Sequence, residues 1–166
     1  MATHAEQRHV PYSAEQMYNL VADVGSYPKF LPWCVGSRVL AREKHSDHEI
    51  LVADLIVGFK AFRGQFSSRV TLMPTRNRID VEYTRGPFRY LNNHWKFIEE
   101  PGGFSTIDFF IDFEFKNRVF QKLIDTMFQE AVHRMVHAFE QRAHVLYGEP
   151  TAVETGAGLS PGAAAG

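Results

Sequence analysis

The chain has 166 residues, 45% of them hydrophobic and 22% charged, with a formal net charge of −1 and one cysteine. That length suits one globular domain, and the balanced charge gives no global bias towards nucleic acid or an anionic membrane. A lone cysteine excludes an internal disulfide framework and a cysteine-rich zinc site.

The opening stretch, MATHAEQRHVPY, holds no apolar targeting core. No run approaches the ~18–20 apolar residues of a membrane span. A cytoplasmic-type chain is expected. Ser13-Ala14-Glu15-Gln16 fits a capping box, which predicts a short helix from Ala14 to Ala22 with Met17, Leu20 and Val21 on its apolar side. Gly25 and Pro28 end it. The next segment, Tyr27 to Cys34, reads YPKFLPWC. Pro28 and Pro32 fix their own φ and push the residues before them towards extended geometry, so a regular helix is excluded. It is also too apolar for an ordinary solvated loop.

From Val35 to Phe115 the period is two. Phe66, Ser68, Val70 and Leu72 share one parity. Ile79, Val81 and Tyr83 alternate with Arg78, Asp80 and Glu82, and Trp95 and Phe97 alternate with His94 and Lys96. Ile107, Phe109, Ile111, Phe113 and Phe115 do the same against Asp108, Asp112 and Glu114. Pro74-Thr75-Arg76-Asn77 and Glu100-Pro101-Gly102-Gly103 are turns, and connections this short imply antiparallel pairing.

From Arg118 to Leu146 the period becomes 3.6. Phe120, Leu123, Ile124, Met127, Phe128, Ala131, Met135 and Ala138 form a broad apolar stripe with Phe139 on its flank, predicting a helix of about 28 residues. The end, 151–166, is Gly/Ala-rich and reads as a disordered tail after a single domain over 1–150. The order is short helix, antiparallel sheet, long helix: an α+β chain. A long helix laid over a curved sheet, with aromatics on both facing surfaces, can close into a solid core or leave a cavity.

Catalytic signatures are sparse. There is no G-x-S-x-G elbow, Walker A loop or G-x-G-x-x-G fingerprint. Asp108, Asp112 and Glu114 lie opposite an apolar face, so they read as solvated sheet surface. His133 and His137 have metal-pair spacing, but on the helical wheel they oppose the apolar stripe, and His45 and His48 flank a turn. Cys34 reads as a small buried hydrophobe. No metal site, cofactor or enzymatic activity is expected.

The segments Tyr27-Pro28-x-Phe30-x-Pro32-Trp33-Cys34, Val57-Gly58-Phe59 and Ser68-Arg69-Val70 carry a resemblance, together with Gly86-Pro87-Phe88, Leu91, Trp95, Phe97 and Asp112-Phe113-Glu114-Phe115. Over about residues 5–147 the chain resembles the START-like helix-grip superfamily of polyketide cyclase and lipid-transfer type. Within it, the chain is similar to the branch of coenzyme Q-binding proteins and their bacterial relatives. The resemblance implies a curved antiparallel sheet around a long C-terminal helix, with a hydrophobic cavity that binds ubiquinone, or a similar isoprenoid lipid, as carrier or chaperone in respiration. Another relative in the branch is a toxin that blocks ribosomal subunit association, so the ribosome is the alternative partner. A cyclase-like enzyme is a third reading. The expected pocket residues are Phe59, Phe66, Trp95, Phe97, Phe113, Met127, Phe128 and Met135. Phe30, Leu31 and Trp33 of YPKFLPWC would form a lid at its mouth. Between Lys60 and Lys96, eight Lys/Arg face two Asp/Glu. Such a patch suits a solvated sheet face, peripheral contact with anionic lipid at the inner membrane, or RNA.

Overall fold

The computed structural model describes residues 2–59 and 62–149, without the side chains of Phe59 and Phe62. The tail expected over 151–166 lies outside the described residues. Strand β1 (Ala2–Val10) leads into helix α1 (Ala14–Ala22) and a 3₁₀ turn (Val24–Lys29). Strands β2 (Cys34–Lys44), β3 (Glu49–Phe59), β4 (Phe62–Met73), β5 (Arg78–Arg85), β6 (Phe88–Glu99) and β7 (Ser105–Phe115) follow, and then helix α2 (Arg118–Tyr147). The strands form one antiparallel sheet in the order β1-β7-β6-β5-β4-β3-β2. β2 to β7 is thus a meander, as the short turns require, and β1 closes the far edge against β7.

β1 has no counterpart in the sequence reading. Between its buried ends Ala2 and Val10, the inward positions are His4, Glu6 and Arg8, half-buried polar side chains, so no apolar alternation marks it. Arg8 pairs with Glu140 of α2, which explains why a charged residue faces that way.

Register shifts occur between Cys34 and Gly36, Val39 and Ala41, Ser67 and Ser68, and Phe88 and Tyr90. Bulges bend a strand and increase its twist, and here they curve the sheet around α2. Gly86, in the β5–β6 turn, has φ +144, and a Cβ there would lie 2.6 Å from Phe66 Cβ.

Helix α1 starts at the expected box: Gln16 N donates to Ser13 Oγ at 3.1 Å and Ser13 N to Gln16 Oε1 at 2.9 Å. Asn117 caps α2 through the amides of Val119 and Phe120. One turn on, Gln121 Oε1 accepts from Phe115 N at 2.6 Å, tying the helix start to β7. At the other end the Tyr147 hydroxyl donates to Gln16 O at 2.8 Å, and the Tyr12 hydroxyl to Gly148 O at 2.9 Å.

The buried line of α2 is Gln121, Phe128, Val132, Phe139 and Ala143. At 100° per residue these five fall within about 60° of one another. The expected stripe is thereby corrected: Phe120, Leu123, Met127, Ala131 and Ala138 are only half-buried, and Phe139 sits at the centre of the core instead of its flank. Gln121 caused the displacement. A polar residue at a core position reads as surface until its bond to Phe115 N is known.

Candidate ligand-binding cavity

Between the concave sheet and α2 lies a cavity of about 300 Å³. At about 30 Å³ per water this is roughly ten water molecules of space, more than the small voids of close-packed interiors. β3 supplies Ala53, Leu55 and Val57; β4 supplies Phe66, Ser68 and Val70. β6 adds Phe88, Leu91, Asn93 and Trp95, and β7 adds Phe109, Ile111, Phe113 and Phe115. Ile124, Met135 and Phe139 of α2 form the roof, and Tyr27, Leu31, Pro32, Trp33 and Cys34 form one side. Among the described residues, no Asp, Glu, Lys, Arg or His lines it. Burial pushes up the pKa of Tyr27, and that of Cys34 against a smaller lowering by the Gly36 backbone, so both stay neutral at pH 7. A larger groove of about 570 Å³ beside β1 is walled by Arg8, His9, Glu140 and His144 together with Val10, Pro11 and Met17, so charged and apolar surface are mixed there.

Of the residues expected at a pocket, Leu31, Trp33, Phe66, Trp95, Phe113 and Met135 come together around this cavity. Four others do not line it. Phe97 is buried behind Trp95, stacked on it at 6.2 Å and edge-on to Tyr18 of α1 at 5.9 Å. Phe128 packs on Phe113 at 5.4 Å, towards β1. Met127 is turned aside by the rotation of the helix face. Phe30 lies over the outer side of Phe139, at 5.3 Å. The Phe59 side chain lies outside the described residues.

Sequence reasoning missed Tyr27, Phe88, Phe109 and Phe139 as wall residues, and also Ser68 and Asn93. Strand parity carried the signal for the last two, since Ser68 lies between Phe66 and Val70, and Asn93 between Leu91 and Trp95. Asn93 is held firmly: Trp95 Nε1 donates to its Oδ1 at 2.9 Å and its Nδ2 donates to Phe110 O at 2.9 Å. Ser68 is 3% exposed, and its hydroxyl has no hydrogen-bond partner among the described residues.

The segment Tyr27–Cys34 is more ordered than an extended loop. Residues 24–29 form a 3₁₀ turn containing Pro28, and Leu31 N donates to Tyr27 O at 2.8 Å. The Tyr27 hydroxyl donates to Val21 O. Arg142 of α2 stands 5.4 Å above the Phe30 ring. Trp33 has φ 68, and its carbonyl accepts from Gly58 N at 2.8 Å. Leu31, Pro32 and Trp33 are half-buried, so the segment borders the cavity while remaining within reach of solvent.

Asp108, Asp112 and Glu114 lie on the sheet face away from the cavity; Thr3 Oγ1 donates to Asp112 and Arg89 pairs with Glu114. His133 and His137 are exposed. Much of the basic stretch is spent on local partners, with Arg78 2.9 Å from Asp80 and Arg69 4.0 Å from Glu82. Lys60 lies outside the described residues. Among those residues, no helix is long and apolar enough to cross a membrane.

Residues 10–140 match the family model described as polyketide cyclase / dehydrase and lipid transport. The ribosome association toxin RatA of Rickettsia prowazekii is 34% identical over 137 residues, covering 81% of this chain and 90% of that protein. The mitochondrial coenzyme Q-binding protein COQ10 homolog B of Xenopus laevis is 34% identical over 148 residues, covering 87% of this chain and 59% of that protein. The solution structure of an 18 kDa protein from Caulobacter crescentus superposes with a TM-score of 0.75 at 34% identity, covering 89% of this chain and 99% of that one. Solved START superfamily structures share the same fold.

Proposed function

This chain belongs to the polyketide cyclase / dehydrase and lipid transport family, and we propose that it binds a neutral hydrophobic molecule without chemically converting it. The observation that carries this is the cavity wall, which among the described residues is apolar apart from a few uncharged polar groups. A charged headgroup placed there would lose its hydration and meet no opposite charge, a cost of several kcal/mol. Fatty-acid carboxylates and phospholipid headgroups are therefore poor occupants, and an uncharged ring bearing few oxygens is a good one. About ten water volumes holds such a ring and the first part of a tail. A longer tail would leave past Leu31 and Trp33. A quinone meets these requirements, and the likeness to a coenzyme Q-binding protein supports it.

For biological use, ribosome association has the stronger support. The match to a ribosome association toxin extends over 90% of that relative, against 59% of the coenzyme Q-binding one. Ribosome association is thus the preferred role, and respiratory quinone carriage stands second. The two are compatible at the level of the molecule, since one uses the outer surface and the other the cavity.

Four measurements test this reading. Mass spectrometry of the lipid extract from purified protein should find an uncharged apolar molecule, and a short-tailed ubiquinone analogue should quench tryptophan fluorescence saturably. An empty extract with a flat titration overturns the cavity reading. Overproduction should shift ribosome profiles towards free subunits. Unchanged profiles, together with impaired quinone-dependent oxygen consumption on deletion, would reverse the order of the two roles.

A further inference from the structure

Ser67 and Ser68 are adjacent in sequence but differently placed. Ser67 faces outward and its hydroxyl donates to Asp54 Oδ1 on β3. Ser68 faces the cavity, with no partner for its hydroxyl among the described residues. A register shift falls between them, where β5 carries one extra residue opposite β4. Bulges re-aim side chains and loosen the local ladder. The cross-strand neighbours of Ser68 do not bond its hydroxyl: Ala53 on β3 has no polar atom in its side chain, and the Tyr83 hydroxyl on β5, which accepts from Phe88 N at 3.2 Å, is not within hydrogen-bond reach.

An unpartnered buried hydroxyl costs free energy that an alanine would not. Its neighbour Ala53 is small, leaving space in front of it. Among the other polar wall groups, the Tyr27 hydroxyl is given to Val21 O and the Cys34 thiol to Gly36 O. Asn93 lies two strands across and two residues along, about 12 Å away by strand spacing. Its amide is already committed to Trp95 and Phe110. A small occupant's oxygen near β4 therefore has one hydroxyl to meet.

We propose that Ser68 is the polar anchor of the cavity, hydrogen-bonding a carbonyl or hydroxyl oxygen of an otherwise apolar, uncharged ligand. This rests on the reading of the cavity as a ligand site. Ser68 would select oxygen-bearing ring compounds over hydrocarbons of the same shape and fix which end of the molecule enters first.

The test uses the full chain and two probes sharing a decyl tail: a dimethoxy-methyl-benzoquinone and an alkylbenzene without oxygen. Affinities are read from thermal-shift titrations of wild type, Ser68→Ala and Ser68→Thr. Ser68→Ala should weaken the quinone about five- to tenfold, the value of one neutral hydrogen bond, and leave the alkylbenzene within about twofold. It should also raise the melting temperature of the ligand-free protein, because a buried unpaired hydroxyl has gone. Ser68→Thr should keep most of the quinone affinity. If Ser68→Ala weakens both probes equally or neither, or lowers the ligand-free melting temperature, the anchor is overturned while the cavity reading stands. If wild type binds neither probe, the cavity reading falls first and the anchor falls with it.

Discussion

Trp33 occupies the left-handed region, which a bulky side chain enters only under constraint. The constraint is visible: its carbonyl is held by Gly58 N and Pro32 restricts the approach. Left-handed geometry costs a non-glycine residue roughly 1–2 kcal/mol. Trp33→Gly should therefore be about 1 kcal/mol more stable than Trp33→Ala in chemical denaturation, although both lose the same ring. Trp95 differs. It is buried against Phe97, Phe109 and Phe139 and bonded to Asn93, so Trp95→Ala should cost about 3–5 kcal/mol. A Trp33→Ala loss equal to that of Trp95→Ala would place Trp33 in the core and remove its lid role. Cys34 gives a second reading at this scale. Its thiol is pushed up by burial, so alkylation should be slow at neutral pH, set in at higher pH than for a free cysteine, and slow further once the cavity is filled. A rate equal to that of a free thiol would show the segment standing open. The proline and aromatic pattern announced a stiff segment here. It could not announce the sign of φ at Trp33, which depends on a hydrogen bond from Gly58, 25 residues away.

Helix α2 is fixed at both ends and spans the cavity between them. Gln121 holds the start and Tyr147 and Tyr12 hold the finish, while Ile124, Met135 and Phe139 face the space between. Gln121→Ala removes the hydrogen bond from Phe115 N, with an expected loss of about 1 kcal/mol by denaturation. Gln121→Met, which keeps the packed volume but neither the acceptor oxygen nor the Nε2 donor to Asp125, should lose nearly as much. Wild-type stability in Gln121→Met would mean that packing, and not the hydrogen bonds, seats the helix. The boundaries of α1, α2 and the middle strands were legible because hydrophobic period and capping chemistry are local. The rotation of α2 was not, since apolar residues over-fill its surface and Gln121 reads as polar. β1 was invisible for a related reason: its inward side chains between Ala2 and Val10 are polar, and Arg8 meets Glu140 only after the sheet and helix have met. Three of the six expected residues that line the wall, Phe66, Trp95 and Phe113, do so because strand parity alone orients them. Phe97 shares the parity of Trp95 yet lies under α1, and parity cannot tell a cavity floor from a packed one.

For the whole molecule, an occupied cavity should appear as added stability. A ligand binding only the folded state at a hundred times its dissociation constant adds about 2.7 kcal/mol. For a domain of this size that is roughly 5–11 °C in melting temperature. No shift with a saturating quinone analogue would contradict the cavity reading. Alkaline pH should act in the opposite direction. Tyr18 is held neutral by burial, its pKa raised from 10.0 to about 12, and Tyr27 is raised in the same sense. A folded-state pKa above the unfolded value means stability is complete below pH 10 and falls as pH climbs from 10.0 towards about 12. Denaturation midpoints across that window should fall together with the rise of phenolate absorbance; a flat profile would mean the tyrosines are not desolvated.

The pairing of the first strand with the last has a consequence for the order of events during synthesis. Thr3 must find Asp112, 109 residues later. Such distant pairing raises the entropy lost in closing the chain and slows folding relative to local contacts. β1 therefore waits, made first and used nearly last, while the meander assembles hairpin by hairpin. Until β7 emerges, β6 presents an unpaired edge, the kind of surface that recruits other chains. Nascent chains arrested before residue 105 should remain protease-sensitive and prone to aggregation, and protection should appear only once β7 has left the ribosome. Full closure then follows the arrival of α2, so the cavity is the final part of the molecule to be roofed.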